Sequence, residues 1–114
     1  MAADDKAVLI MVTAGGRDDA ERLGEGLVVE HLAGHCSVVP VVHSFYYKEG
    51  LLERETEALL MIKTIASRTE AVHDYLRKHH RYQVPEVFEL AIDGGSQPYL
   101  KWLAEQVVKP GSDR

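Results

Sequence analysis

"EALLMIKTIAS", residues Glu57 to Ser67, decides the fold. On an extended chain side chains alternate from face to face, so Ala58, Leu60 and Ile62 point one way while Leu59 and Met61 point the other. A strand with one wet face would alternate apolar with polar. This one is apolar on both faces, and it grows out of a charged run, "ERETE", that reads as the exposed start of the same strand.

The preceding stretch "HCSVVPVVHSFYYKEG" (35–50) is rich in Val, Phe and Tyr and reads as a long strand. Val39, Val41 and Phe45 oppose Val38, Val42 and Tyr46, so it too is apolar on both faces. Pro40 cannot donate to a ladder and marks an edge or a bulge, and "KEG" is a turn. Further upstream, "KAVLIMVTA" (6–14) is a buried strand. In "GGRDDAERLGEGLVVEHLAG" (15–34) the period changes, with Ala20, Leu23, Gly24, Leu27, Val28 and His31 at helical spacing. Asp18 and Asp19 suit the first turn, and Gly34 reads as the C-terminal stop.

Downstream, "SRTEAVHDYLRKHH" opens with Ser67-x-x-Glu70, a capping box, and carries Ala71, Val72, Tyr75, Leu76 and His79 on one stripe. "VPEVFELAI" is a fourth strand. After "DGGS" a third helix carries Tyr99, Leu100, Leu103 and Val107. The expected order is β-α-β-β-α-β plus a terminal helix. That is an α+β, ferredoxin-like antiparallel sheet with helices on one face, forming one domain over residues 1–114 with residues 1–5 and 109–114 frayed.

Helices on one side leave the second apolar face uncovered. Burying Leu59 and Met61 is worth about 3–6 kcal/mol together, too much to leave open. A long loop folded over the face would serve, but the loops are short, and pairing with identical copies is the simpler cover.

Bulk properties narrow the function. The 114 residues carry a formal charge of -5, with the thirteen Lys and Arg scattered, so no basic stripe suits nucleic acid. No apolar run is long enough to span a membrane, and the N-terminus lacks a signal-peptide pattern. Cys36 is the single cysteine, which points to a reducing compartment, the cytoplasm.

Five fragments in order, "VEHLAGHCSVVP", "SFYYKEG", "LLMIKT", "HRYQVPEVFEL" and "GGSQPYLKWL", give a resemblance to the CutA-type divalent-cation tolerance family over about Val8 to Trp102. The resemblance implies a homotrimer of ferredoxin-like subunits with sheets inward, and Leu59, Met61 and Trp102 at the trimer interface. It also implies a non-enzymatic role in the response to divalent metal ions with weak binding of copper or related ions. The alternative it carries is a PII-like trimeric regulatory module that binds a small ligand or partner protein at clefts between subunits. His35 stands here in place of the family's cysteine, with Cys36 one position later. Tyr47 and Lys48 replace its paired tryptophans, and Ser96 its asparagine.

His80, Tyr82, Pro85 and Glu86 carry the family's H-x-Y-x-x-P-E pattern. Two readings stand side by side. In one, these residues only join helix to strand. In the other, His80, Tyr82 and Glu86 line an intersubunit cleft with Lys63 and Glu49. For metal, His35 and Cys36 offer the imidazole and thiolate that copper and zinc favour, although neighbours on a strand point to opposite faces. His31 and His35 have helical spacing, with Gly34 interposed. His43 and His73 read as solvent-exposed. "TAGGRDD" lacks the full phosphate-loop and dinucleotide patterns, so its glycines read as a turn. Neither C-x-x-C nor H-E-x-x-H occurs.

Overall fold

A computed structural model describes residues 5–108. The elements run β1 (Ala7–Ala14), α1 (Arg17–Val29), β2 (His35–Lys48), β3 (Leu51–Ile65), a 3₁₀ turn (Ala66–Arg68), α2 (Thr69–His79), β4 (Val87–Ala91) and α3 (Gln97–Gln106). All pairings are antiparallel and the strand order is β2-β3-β1-β4. This is the α+β, ferredoxin-like order expected from the sequence.

Strict alternation builds the core. Val8, Ile10, Val12 and Ala14 of β1 and Ala58, Leu60, Ile62 and Thr64 of β3 are buried against Ala20, Leu23 and Leu27 of α1 and Val72 and Leu76 of α2. Thr64 satisfies its hydroxyl by donating to the Leu32 carbonyl at 2.7 Å. The opposite face carries Leu9 and Met11 beside Leu59 and Met61, and the register sets Leu90 and Phe88 against Leu9 and Met11. Phe88 and Leu90 are about half exposed. The second apolar face therefore exists as read, and the helices leave it open.

Pro40 makes a bulge, and the bulge corrects the reading of β2. Val39 pairs with Leu59 and Val42 with Glu57, so Pro40 and Val41 together face Ala58. The extra residue flips the alternation. Val39 shares its face with Val42 and Tyr46, not with Val41 and Phe45. Beyond the bulge, β2 and β3 continue as a two-stranded arm that β1 does not reach. Glu49 (φ 52°) and Gly50 (φ 81°) close it, the left-handed pair of a type I′ hairpin. Phe45, Tyr47, Leu51 and Leu52 on this arm are exposed, with Tyr47 at 76%. The chain is 51 Å long but only 27 × 21 Å across. Its radius of gyration, 15.2 Å, exceeds the roughly 13 Å of a compact chain this size.

Two helix boundaries differ from the sequence reading. Helix α1 stops at Val29, and His31, at φ 60°, takes the left-handed position after it. Gly34 is needed for another reason. A Cβ there would lie 2.9 Å from the Leu103 carbonyl oxygen and 2.8 Å from Leu103 Cδ1, so only glycine lets α3 come this close. The Ser67–Glu70 capping box does not form. Asp5 instead accepts from the Ser67 amide at 2.9 Å and its hydroxyl at 2.5 Å, capping the helix start from a distant part of the chain. Of the ends expected to fray, Asp5 is thus held in place, while residues 1–4 and 109–114 lie outside the described residues.

Candidate functional site

The turn after α2 is built from its own polar groups. His80 Nε2 lies 2.8 Å from the Thr13 carbonyl, and the Tyr82 amide donates to His80 Nδ1 at 3.0 Å. A carbonyl needs a donor and an amide needs an acceptor, so the ring is the Nε2–H tautomer. Arg22 donates to the His79 carbonyl at 2.9 Å, and Arg81 Nε reaches Asp19 at 2.7 Å. The Arg81 hydrogen bond, aided by Arg22, holds the Asp19 carboxyl below its ordinary range despite partial desolvation. Together these bonds tie the end of α2 to the start of α1 and to the end of β1.

Tyr82 extends from this corner to the base of the arm. Its hydroxyl donates to Glu57 Oε2 at 2.9 Å. Glu57 is only 7% exposed, and among the described residues no cation pairs with it. Farther out, the Tyr46 hydroxyl bonds Glu55. Both phenols are pushed up to about 12. Burial and then the Glu57 bond act on Tyr82, and the Glu55 bond leads for Tyr46. A cavity of about 790 Å³ lies between arm and turn, with Tyr46, Glu55, Glu57, Tyr82, Val84 and Glu86 among its walls and Lys48 at hand.

The structure brings some of the expected cleft residues together and separates others. Tyr82 and Glu86 line the cavity, and His80 stacks on Tyr82 with centroids 4.8 Å apart. Glu49 sits in the hairpin turn. Lys63 lies six residues along β3 from Glu57, beside His35, and donates to Ser37 Oγ at 2.7 Å. Within one chain Lys63 and Glu49 are therefore not at this cavity. Sequence reading missed Glu55, Glu57 and Tyr46. Glu57 reads as one more charge in "ERETE", and the only hint is its place where charge gives way to "ALLMIKT".

The proposed metal pair does not converge. Cys36 pairs with Ile62 on the helix face and His35 with Lys63 on the open face. Cys36 packs against Gly24 of α1, and burial pushes its thiol up to about 12, so it is a core residue and not a ready thiolate. His35 Nδ1 lies 2.8 Å from the Tyr99 hydroxyl, and desolvation followed by Lys63 lowers its proton affinity. His31 Nδ1 donates to the Gln106 carbonyl at 3.0 Å. Both histidines thus anchor α3. His73 meets Glu89 at 2.8 Å, a contact the sequence did not suggest. Among the described residues no three His, Cys, Asp or Glu side chains gather as a metal centre. Trp102, 42% exposed, stacks on Tyr99 with centroids 5.8 Å apart and meets His35 edge-on. No helix among the described residues is long and apolar enough to cross a membrane.

Comparison with known proteins adds to this geometry. The family model described as CutA1 divalent ion tolerance protein matches residues 8–106. A protein named CutA homolog from Xenopus laevis is 43% identical over 96 residues, covering 84% of this chain and 64% of that protein. The chain therefore spans less than two thirds of that relative's length. A divalent-cation tolerance protein CutA from Salmonella newport is 38% identical over 98 residues, covering 86% of this chain and 85% of that one. The crystal structure of CutA1 from Oryza sativa superposes with a TM-score of 0.86 at 33% identity, covering 93% of this chain and 96% of that one.

Proposed function

This chain belongs to the CutA1 divalent ion tolerance protein family, and from that premise we propose that it acts as a homotrimer in the cell's tolerance of divalent cations. In this reading it takes up copper or related ions weakly, in the cytoplasm, without catalysing a reaction. The observation that carries the assembly is the uncovered β surface. Leu59, Met61, Phe88 and Leu90 share an open sheet face, and the arm beyond Pro40 is a bare two-stranded ribbon, a form that is marginal in water alone. The two edge strands, β2 and β4, are also unprotected hydrogen-bonding rims. Like copies cover all three.

Weak metal uptake is supported by how the ligands are dispersed. Imidazoles are presented singly, and the thiol is held protonated against α1. That donor set does not fit a resident ion within one chain, and it suits only loose, exchangeable contact. The non-catalytic reading draws on the same thiol, which desolvation keeps from being a ready thiolate nucleophile. The cytoplasmic reading rests on the same free cysteine.

A second reading, a regulatory module with a small-ligand cleft, is favoured by one observation. Tyr82 and Glu86 line a cavity whose wall contains the buried Glu57. Sedimentation equilibrium tests the assembly, with three-chain mass expected at micromolar protein and a monomer refuting it. Calorimetric titration with Cu²⁺ tests the metal reading. A His35→Ala variant that binds Cu²⁺ as wild type does would remove that side chain from any site.

A further inference from the structure

We propose that the open sheet face takes further copies of this chain head to tail, so that Glu57 at the base of one arm meets the Lys63 ammonium of the next copy. The inference rests on the homotrimer reading and deepens it, because it says which ends of the face meet and through which residues.

The first ground is how charge is sorted along β3. Alternate residues share the open face, and they run Glu53, Glu55, Glu57, Leu59, Met61, Lys63. The face therefore has an acidic end on the arm, an apolar middle, and a basic end where Lys63 pairs with Leu9 of β1. Lys48, the arm's own cation on this side, lies out at the hairpin turn. The second ground is that Glu57 and Lys63 each lack a counter-charge among the described residues. Glu57 is buried with the Tyr82 hydroxyl on Oε2, and half-buried Lys63 donates to Ser37 Oγ at 2.7 Å. A carboxylate accepts several donors and an ammonium has three hydrogens, so both have bonds to spare. Covering an unpaired charge is costly, so the surface that covers this face has to bring the opposite charge to each end. The two cannot serve each other within one chain. They are six residues apart on one strand, about 20 Å at about 3.4 Å per residue. The third ground is shape. The arm projects past β1 at the Glu57 end only. In a closed ring of like copies the contact runs head to tail, so the arm end of each copy lies on the far end of the next, where Lys63 and His35 sit side by side. Like ends meeting would set carboxylate against carboxylate.

The test is sedimentation equilibrium of the full chain and its charge variants over a range of concentrations, with circular dichroism to confirm folding. Lys63→Glu should weaken self-association about tenfold or more at each contact, the loss of one charge-assisted bond. Lys78→Glu, the same charge change on an exposed position of α2, should leave it unchanged. Adding Glu57→Lys to Lys63→Glu reverses both poles and should restore the three-chain species. If that double variant does not fold, Glu57→Gln in the Lys63→Glu background removes the new repulsion and should recover part of the loss. Equal weakening by Lys78→Glu overturns the proposal, because it means only diffuse charge effects. So does a Lys63→Glu variant that assembles as wild type does, or a folded second-site variant that recovers nothing. A two-chain mass with the coupling intact means a two-fold pair and overturns the head-to-tail order. A trimer without coupling between the two positions refutes this inference alone, whereas a wild-type monomer refutes the assembly reading together with it.

Discussion

Removing one oxygen from Tyr82 tests how the base of the arm is held. In Tyr82→Phe the ring keeps its packing, but Glu57 Oε2 loses the hydroxyl that donates to it at 2.9 Å. Because Glu57 is 7% exposed, water replaces that donor poorly. An orphaned buried acceptor costs about 1–3 kcal/mol, toward the upper end when it is charged. For a chain of 114 residues, the unfolding entropy is about 240 cal/mol/K, so the midpoint should fall by about 4–12 °C. Differential scanning calorimetry at pH 7 measures the shift. Alkaline pH gives a second readout with a defined sign. Folding raises the Tyr82 phenol from 10 to about 12. Above pH 10 the unfolded chain therefore releases a proton that the folded chain still holds, and stability falls as pH rises from 10 to 12. The phenylalanine variant should lose stability less steeply across that window. A Tyr82→Phe, Glu57→Gln double variant closes the cycle. If the two single effects add to within about 0.5 kcal/mol, or if Tyr82→Phe melts with wild type, the hydroxyl does not support Glu57 and the argument is wrong.

Three further perturbations probe other parts of the molecule. Gly34→Ala drives a methyl group against the Leu103 carbonyl oxygen and should cost about 1–3 kcal/mol by overpacking. Weakening of the Tyr99–His35 contact should be visible as altered Trp102 fluorescence, and an unchanged urea midpoint would count against the close approach of α3. Met61→Glu places a charge in the middle of the open sheet face and should convert the sedimenting species to single chains, while circular dichroism stays near that of wild type; a variant that still assembles would show that this face is not the one covered. Cys36, with its thiol pushed up to about 12, should react with a maleimide at pH 8 only after unfolding, since roughly one thiol in ten thousand is ionised; rapid labelling of the native protein would contradict its packing against α1.

Most of the architecture could be read from period alone, because alternation in β1 and β3 and the helical stripe of α2 are local patterns that tertiary packing then uses. Pro40 was legible as an edge or bulge position for the same reason: a missing N–H acts wherever the residue sits. What the bulge does to the later residues was not legible. The flip that sets Val42 with Val39 depends on how many partner residues are skipped. Gly34 looked like a helix stop because its actual constraint, the approach of Leu103, comes from a segment about seventy positions away. Ser67 lost its local capping box to Asp5, a competition that no window of neighbouring residues contains. The site divided along similar lines. His80 and Tyr82 were legible as a corner, and the opposed faces of His35 and Cys36 followed from strand geometry. Glu57 was hidden because its partner, Tyr82, comes from the far side of a helix and meets it at mid-β3.

The Glu49–Gly50 turn carries a consequence for how the molecule comes together in time. A two-residue hairpin with both positions left-handed is a short-range structure, and such hairpins close within about 1–10 μs, well before strangers meet by diffusion. The arm can thus set its register on the nascent chain and offer a finished surface at first encounter. One inserted residue in that turn would exchange the faces of Tyr46 and Tyr47 along the ribbon. In the proposed trimer, the newborn chain would then reach its mate inside out.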